Sequence, residues 1–273
     1  MNCELIKNKI INKEIFRLDF ILSDSLEYSD MPKAGNFFMV KPKRTSVFLG
    51  RPISVAMWDP ALNESYLKKP NTVRFLIARR GRGTQELADM RIGEEAELIG
   101  PLGNAWADFL PSDITKPVAL VGGGIGIAPL IALLGEFYKQ DKTSSPAFDF
   151  YAGFKKGFES FEEEISLLGT VLLAAQKKTA ATEDGKTGNK GLITDFLDPE
   201  KYATVFACGP QPMLKTVAER CKAADVPCFI SLERQMACGV GACLGCTVKT
   251  VNGNRRCCAD GPIFNAEEVV FDD

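Results

Sequence analysis

Over the first hundred residues the apolar positions fall in short runs, some alternating with polar ones. Lys9–Phe20, Asn36–Val40, Ile53–Met57, Val73–Arg79 and Glu95–Ile99 each read as a strand, and Gly, Pro, Asn or Asp separates most of them. Thr84–Met90 is the longest helical pattern in this half. Strands of this length and spacing predict an antiparallel barrel or sandwich. After Gly100-Pro101-Leu102-Gly103-Asn104 the pattern changes. Val118–Val121 is wholly apolar, a glycine-rich turn follows it, and Pro129–Lys139 is helix-like. Phe148–Gly153, Val171–Ala175 and Val205–Cys208 read as further buried strands, with helical patterns at Phe158–Leu168 and Pro212–Ala224. That alternation predicts a parallel sheet with helices on its faces. From Ser231 onward the chain is too short for another such unit, so its organisation has to come from its cysteines. The expected division is a β unit over 1–104, an α/β unit over 105–230 and a small C-terminal unit over 231–273.

Composition narrows the chemistry. With 45% hydrophobic and 25% charged residues, the 273-residue chain can bury a core. A net charge of −2 argues against a polybasic nucleic-acid surface or a lipid-binding arm. The first residues, MNCELIKNKIINKEIF, scatter their charges and contain no apolar core of a signal peptide, so a cytoplasmic location is expected. Pro117–Gly135 is uncharged over 19 residues, close to membrane-spanning length. Its central glycines and Pro129 fit a strand, a turn and a helix start instead, so no membrane span is expected. There is no histidine, which removes Ser-His and Cys-His nucleophiles, imidazole bases, His-ligated haem and HExxH sites. The nine cysteines are an odd number, and all but Cys3 lie between Cys208 and Cys258. In a reducing compartment such crowding points to metal or redox chemistry rather than to disulfides.

Cys238, Cys243, Cys246 and Cys258 have the spacing C-x4-C-x2-C-x11-C. A tight loop offering three thiolates, with a fourth from a nearby turn, suits a [2Fe–2S] cluster. A structural zinc site prefers paired C-x2-4-C knuckles, and only Cys243 and Cys246 have that form. Cys257, adjacent to Cys258, leaves the fourth ligand open. Cys208, Cys221 and Cys228 read as buried thiols. The turn Val121-Gly-Gly-Gly-Ile-Gly-Ile-Ala-Pro129 follows a strand and opens a helix. Gly122, Gly123, Gly124 and Gly126 there would let a pyrophosphate approach the helix start, although tight packing also demands glycine. In the first half, Arg51-Pro52-Ile53-Ser54 and Gly81-Arg82-Gly83-Thr84 could hold an anion. Arg51 would act through charge-assisted hydrogen bonds, Gly83 and Thr84 through N–H and hydroxyl donors.

Taken together, these segments resemble the ferredoxin-reductase superfamily, and within it the electron-transfer subunits of the two-subunit, NAD-dependent dihydroorotate dehydrogenases. The resemblance runs along essentially the whole chain. It implies an N-terminal antiparallel FAD-binding β-barrel, a parallel-sheet α/β NAD-binding domain and a small C-terminal [2Fe–2S] domain. Arg51, Pro52, Ile53 and Ser54 match its flavin motif, and Ile77, Arg79, Gly83 and Thr84 its next FAD segment. Gly122–Leu130 resembles its NAD pyrophosphate loop, and Thr182-Glu-Asp-Gly185, with Asp184, its later nucleotide-side loop. Cys208, Gly209 and Pro210 match the segment facing nicotinamide and flavin, with Cys208 as the catalytic candidate. Glu233–Cys246 and Cys258-Ala-Asp-Gly-Pro262 resemble the cluster domain, which favours Cys258 as fourth ligand. The chain departs from the pattern at Ala34-Gly35-Asn36-Phe37, usually Pro-Gly-Gln-Phe, and at Ala105-Trp106, often Gly-Phe.

The implied function is passage of electrons from dihydroorotate, oxidised in an FMN-containing catalytic partner, through the cluster and FAD to NAD⁺, in pyrimidine biosynthesis. A heterotetramer with two copies of each subunit is implied as well. A reductase serving a different redox partner shares the same motifs, and a zinc-stapled nucleotide-binding regulator is the non-enzymatic alternative. Glu183 and Asp184 would disfavour a 2′-phosphate on the nucleotide, whereas Lys155, Lys156, Lys177 and Lys178 would accept one.

Overall fold

The computed structural model describes residues 1–23, 31–58, 71–112, 115–137, 146–157 and 174–271. Alternating burial builds the first unit. Strands β1 (Asn2–Ile10), β2 (Ile15–Leu22), β3 (Phe37–Pro42), β4 (Arg51–Trp58), β5 (Thr72–Ala78) and β6 (Glu95–Leu102) close an antiparallel barrel in the order β1-β2-β5-β4-β3-β6. Phe16, Leu18 and Phe20 of β2, Phe38 and Val40 of β3, and Phe75 and Ile77 of β5 fill its interior, each at most 1% exposed. The Phe75 ring meets Phe20 and Phe38 edge-on, with centroids 6.1 and 5.9 Å away. Each such side chain contributes about 2–3 kcal/mol of burial. The expected single strand Lys9–Phe20 is instead parts of β1 and β2. Asn12 Oδ1 accepts the N–H groups of Glu14 (2.8 Å) and Ile15 (2.9 Å), and this side-chain turn reverses the chain. On the outer face of β2, Asp19 is paired with Arg17 at 2.5 Å and with Arg74 of β5 at 2.9 Å, all three buried. Helix α1 (Arg82–Ala88) follows β5.

The second unit is a sheet in the order β10-β9-β8-β7-β11-β12-β15. Its parallel strands are β7 (Val118–Gly123), β8 (Phe148–Phe154), β9 (Ala175–Thr182), β10 (Asn189–Lys190), β11 (Thr204–Cys208) and β12 (Cys228–Ser231). Helices α2 (Ile127–Phe137) and α3 (Gln211–Ala223) pack on it. The strand expected at Val171–Ala175 is described only from residue 174, where β9 runs on to Thr182, and the helix expected at Phe158–Leu168 lies outside the described residues. Pro117–Gly135 comprises β7, a glycine turn and most of α2, and no helix among the described residues is long and apolar enough to cross a membrane.

Beyond β12, regular structure continues further than the cysteines alone suggested. A hairpin of β13 (Thr247–Thr250) and β14 (Gly253–Arg256) leads into the short helix α4 (Cys257–Asp260). Strand β15 (Ile263–Asn265) then returns to lie antiparallel on β12. Barrel and sheet meet over the buried Trp106, whose ring stacks on Phe206 at 5.0 Å. Beside it, Ala34 N–H donates to Glu136 Oε1 of α2 at 2.5 Å.

Candidate functional site

Three neighbouring strands end together at the carboxyl edge of the sheet. Cys208 of β11 lies opposite Gly122 of β7 on one side and Ser231 of β12 on the other. This edge is where open α/β sheets bind ligands. The glycine turn sits on it, and its glycines divide into two roles. Gly124 has φ +56° with open space where a side chain would stand, so its backbone can face a phosphate. Gly126 lies so close to Cys208 that a Cβ would sit 2.2 Å from the Cys208 carbonyl oxygen. Gly122 and Gly123 likewise lie under Ile127 and under Met213 with Pro210. Three of the four glycines therefore serve close packing, which locks the turn onto Cys208-Gly209-Pro210. Cys208 is 3% exposed, and burial, with Glu233 adding to it, pushes its thiol up to about 12. It stays a neutral thiol at neutral pH and lines the edge rather than acting as a nucleophile.

Facing this edge, Arg51, Pro52, Ile53 and Ser54 are all half-buried, an uncovered stretch at the start of an otherwise buried strand. The Arg51 guanidinium lies over Gly83, where a Cβ would be 2.2 Å from Nε. Its Nη1 donates to the carbonyls of Leu49 (3.0 Å) and Gly50 (3.2 Å). Arg79 sits over the Phe16 ring at 5.6 Å, and its buried Nε has no hydrogen-bond partner among the described residues. An open strand flanked by two arginines, one with an orphaned donor, fits an anionic ligand such as FAD. Two expectations change here. Ile77 points into the barrel interior because β5 alternates, so only its backbone is available to a ligand. The Thr84 hydroxyl donates to Gly81 O at 3.0 Å and accepts from Arg80 N–H at 2.9 Å, so it is engaged in the turn itself.

Asp184 lies beyond β9. Its carboxylate accepts N–H groups from Gly157 (3.0 Å) and Lys186 (3.2 Å), contacts that hold it below the usual carboxylate range, the Lys186 N–H foremost. It thus ties down the loop after β8, on which Lys155 and Lys156 are exposed.

The four cluster cysteines form two couples. Cys243 N–H donates to Cys238 Sγ at 3.4 Å, and Cys258 N–H donates to Cys246 Sγ at 3.4 Å. Among the described residues no three metal-ligating side chains meet at one point. Two couples match two irons sharing four thiolates. Gly241, at φ +81°, donates its N–H to Cys258 Sγ at 3.1 Å. The N–H groups of Cys243, Val240 and Ala242, with the Cys243 thiol, hold Cys238 down at about 6. Burial and the neighbouring Cys246 push Cys258 up to about 11, a crowding of sulfurs that a cation relieves. Cys257 turns the other way. It is fully buried, and its Sγ donates to Leu232 O at 3.1 Å. The loop rests on the barrel, since a Cβ on Gly239 would lie 2.7 Å from Met39 Cγ and 3.1 Å from Leu102 Cδ1.

Residues 233–270 match the family model of the iron-sulfur cluster binding domain of dihydroorotate dehydrogenase B. The chain is 41% identical over 274 residues to the dihydroorotate dehydrogenase B (NAD(+)) electron transfer subunit of Clostridium perfringens, covering 99% of this chain and all of that one. This chain belongs to that family. A second member, from Caldanaerobacter subterraneus, is 35% identical over 99% of this chain and 98% of its own. Among solved structures, the NADH-dependent reduced ferredoxin-NADP oxidoreductase superposes with a TM-score of 0.75 at 24% identity, over 98% of this chain and 89% of that one. The flavohemoglobin of Malassezia yamatoensis gives 0.63 at 20% identity, over 82% and 57%. These two likenesses carry the fold.

Glu233 opens the segment that resembles the cluster domain, and its spacing there does not point to the sheet edge. It stands two residues beyond Ser231 and is exposed to solvent. Desolvation in the cleft nevertheless holds its carboxyl above the usual range, against the pull of Arg80. A single carboxylate has no spacing to flag it, and only the closing of β12 onto β11 brings it near Cys208.

Proposed function

We propose that this chain passes electrons, taken from dihydroorotate by an FMN-containing catalytic partner, through a [2Fe–2S] cluster and FAD to NAD⁺, as a step of pyrimidine biosynthesis. Residues 1–104 would hold FAD, 105–230 NAD and 231–273 the cluster, in an assembly of two copies of each subunit. The observation that carries this reading is a shared strand. Pro52 of the flavin segment is opposite Met39 in β3, and Met39 supports the cysteine loop at Gly239. β3 is therefore in contact with both, with the flavin segment one strand spacing away, roughly 5 Å between backbones, and the loop resting on the Met39 side chain.

When bound, FAD converts between the single electrons of an iron–sulfur centre and the hydride of a nicotinamide. The chain's own residues bind and orient. Arg51 and Arg79 would hold the flavin phosphate, Pro52, Ile53 and Ser54 would bind the flavin, and the backbone at Gly124 would take the nicotinamide pyrophosphate. Asp184 holds the loop beside the nucleotide's ribose. Cys238, Cys243, Cys246 and Cys258 are the thiolate ligands. Cys208 and Pro210 hold the turn and wall off the place where hydride passes.

Electrons arriving through a cluster bring no proton, whereas each departing hydride carries one, so the cleft has to hold a proton for every turnover. Without histidine, the Glu233 carboxyl, exposed at this edge and near enough to Cys208 to act on its thiol, is the group assigned to hold it at a carboxyl oxygen. The test is purification without oxygen. A yellow-brown protein with about two irons per chain, bleached by NADH, is expected. Added catalytic subunit should then couple dihydroorotate oxidation to NADH formation. A colourless, zinc-containing protein would overturn the reading.

A further inference from the structure

The junction after β6 is fastened by two asparagines that none of the roles above uses. Asn36, 7% exposed, accepts Val55 N–H from β4 at its carbonyl oxygen (3.0 Å). Its side-chain amide donates to the carbonyls of Gly103 (2.8 Å) and Asn104 (3.2 Å), while its Oδ1 accepts Lys33 N–H (2.8 Å). Asn104 continues the chain of contacts. Its Nδ2 donates to Ile263 O (2.8 Å), its Oδ1 accepts Ile263 N–H (3.0 Å), and its own N–H donates to Gly261 O (2.8 Å). Pro262 fills the space a side chain on Gly103 would need, 2.5 Å from its Cβ position. Leu232 N–H in turn donates to Pro262 O at 2.9 Å.

The asparagine amide is the group this arrangement needs. It donates and accepts at once, so Asn104 satisfies both backbone groups of Ile263 as a paired strand would. Aspartate offers acceptors only, and alanine offers neither. The connected path runs from Val55, next to the flavin segment, through Asn36 and Asn104 to residues 261–263. Those residues follow directly on α4, which carries Cys257 and Cys258.

We propose that Asn36 and Asn104 form a clasp that sets the separation between the flavin-binding strand and the cysteine loop, and with it the rate at which electrons cross between the two centres. They are positioning residues, and the proposal rests on the functional reading above. That reading fails separately, if the wild-type protein itself lacks flavin and iron. Electron passage between fixed centres falls steeply with distance, whereas flavin reduction by NADH depends on the other side of the cleft.

The test uses the full chain with Asn104→Asp, which keeps the acceptor and loses the donor, and Asn36→Asp as a second variant. Rapid-mixing spectroscopy follows flavin reduction by NADH and then cluster reduction, and hydrogen exchange reads the Ile263 amide with and without cofactors. Expected are wild-type flavin and iron contents, an unchanged rate of flavin reduction, faster exchange at Ile263, and cluster reduction slowed about tenfold. Faster exchange at Ile263 with an unchanged cluster-reduction rate would overturn the proposal, because the asparagines would then only stabilise the fold. Loss of iron in both variants would also overturn it, since their role would then be cluster retention.

Discussion

Cys257 and Cys258 are neighbours in sequence with opposite surroundings, and paired substitutions separate them. In Cys257→Ala the change loses a thiol that is fully buried and donates to Leu232 O at 3.1 Å. An unpaired Leu232 carbonyl costs about 1 kcal/mol. The space left by one sulfur adds about 1 kcal/mol more. The sum of about 2 kcal/mol lowers the unfolding midpoint by about 4–8 °C for a chain of this size. Iron and sulfide per chain should not change. Cys258→Ser removes the sulfur that accepts Gly241 N–H at 3.1 Å and whose backbone reaches Cys246 Sγ. It should abolish or strongly deplete the cluster while changing the unfolding free energy of the metal-free protein by about 1 kcal/mol, since a serine oxygen can still accept that N–H. Anaerobic iron and sulfide determination, visible absorption and thermal unfolding together read both variants. If Cys257→Ala loses iron and Cys258→Ser keeps it, the ligand assignment and its geometric basis are wrong.

Gly83→Ala places a methyl 2.2 Å from Arg51 Nε, the far end of a flexible side chain, so the fold should survive while the guanidinium is displaced. FAD retention should fall about 10- to 100-fold by fluorescence titration, and undiminished retention would count against Arg51 as a phosphate partner. Gly126→Ala meets the Cys208 carbonyl instead, which cannot swing away, so a loss of about 1–3 kcal/mol in denaturant unfolding is expected, with weakened NAD binding. Glu136 has its carboxyl raised by burial, with Asp108 adding to this and the Ala34 N–H and Lys33 opposing it. The folded state therefore favours the proton, so this group's contribution to stability is fully present below its unfolded value and is lost as pH rises through the raised value. Glu136→Gln should flatten that decline in thermal scans, and parallel curves would refute it. Glu233→Gln should remove the alkaline limb that its raised carboxyl gives the rate of NADH formation; a pH profile of unchanged shape would exclude it as the proton holder.

Much of the architecture was legible because single patterns determine it. The alternation in β3 to β6 predicted barrel strands, and the apolar Val118–Val121 with its glycines predicted a strand, turn and helix at the sheet's ligand edge. The cysteine spacing singled out four candidate ligands, which the fold places in two couples. What was not legible depended on competition or on distant closure. Asn12 reverses the chain inside an apparently continuous strand because a side-chain oxygen captures two N–H groups there. Ile77 sits in a matching motif yet points inward, since the strand's parity and not the motif decides its direction. The different surroundings of Cys257 and Cys258 depended on α4, which turns adjacent side chains apart. Glu233 and the Asn36–Asn104 contacts join residues far apart in sequence, so no local spacing could reveal them.

Strand β15 carries a consequence for biogenesis. The β12 edge of the central sheet is covered only when residues 263–265 arrive, after the chain has passed through all four cluster cysteines. On the ribosome, the sheet is therefore completed last, by residues downstream of the metal loop. An uncovered strand edge is a template for pairing with other chains. Until residues 263–265 are made, the nascent chain is expected to present that edge.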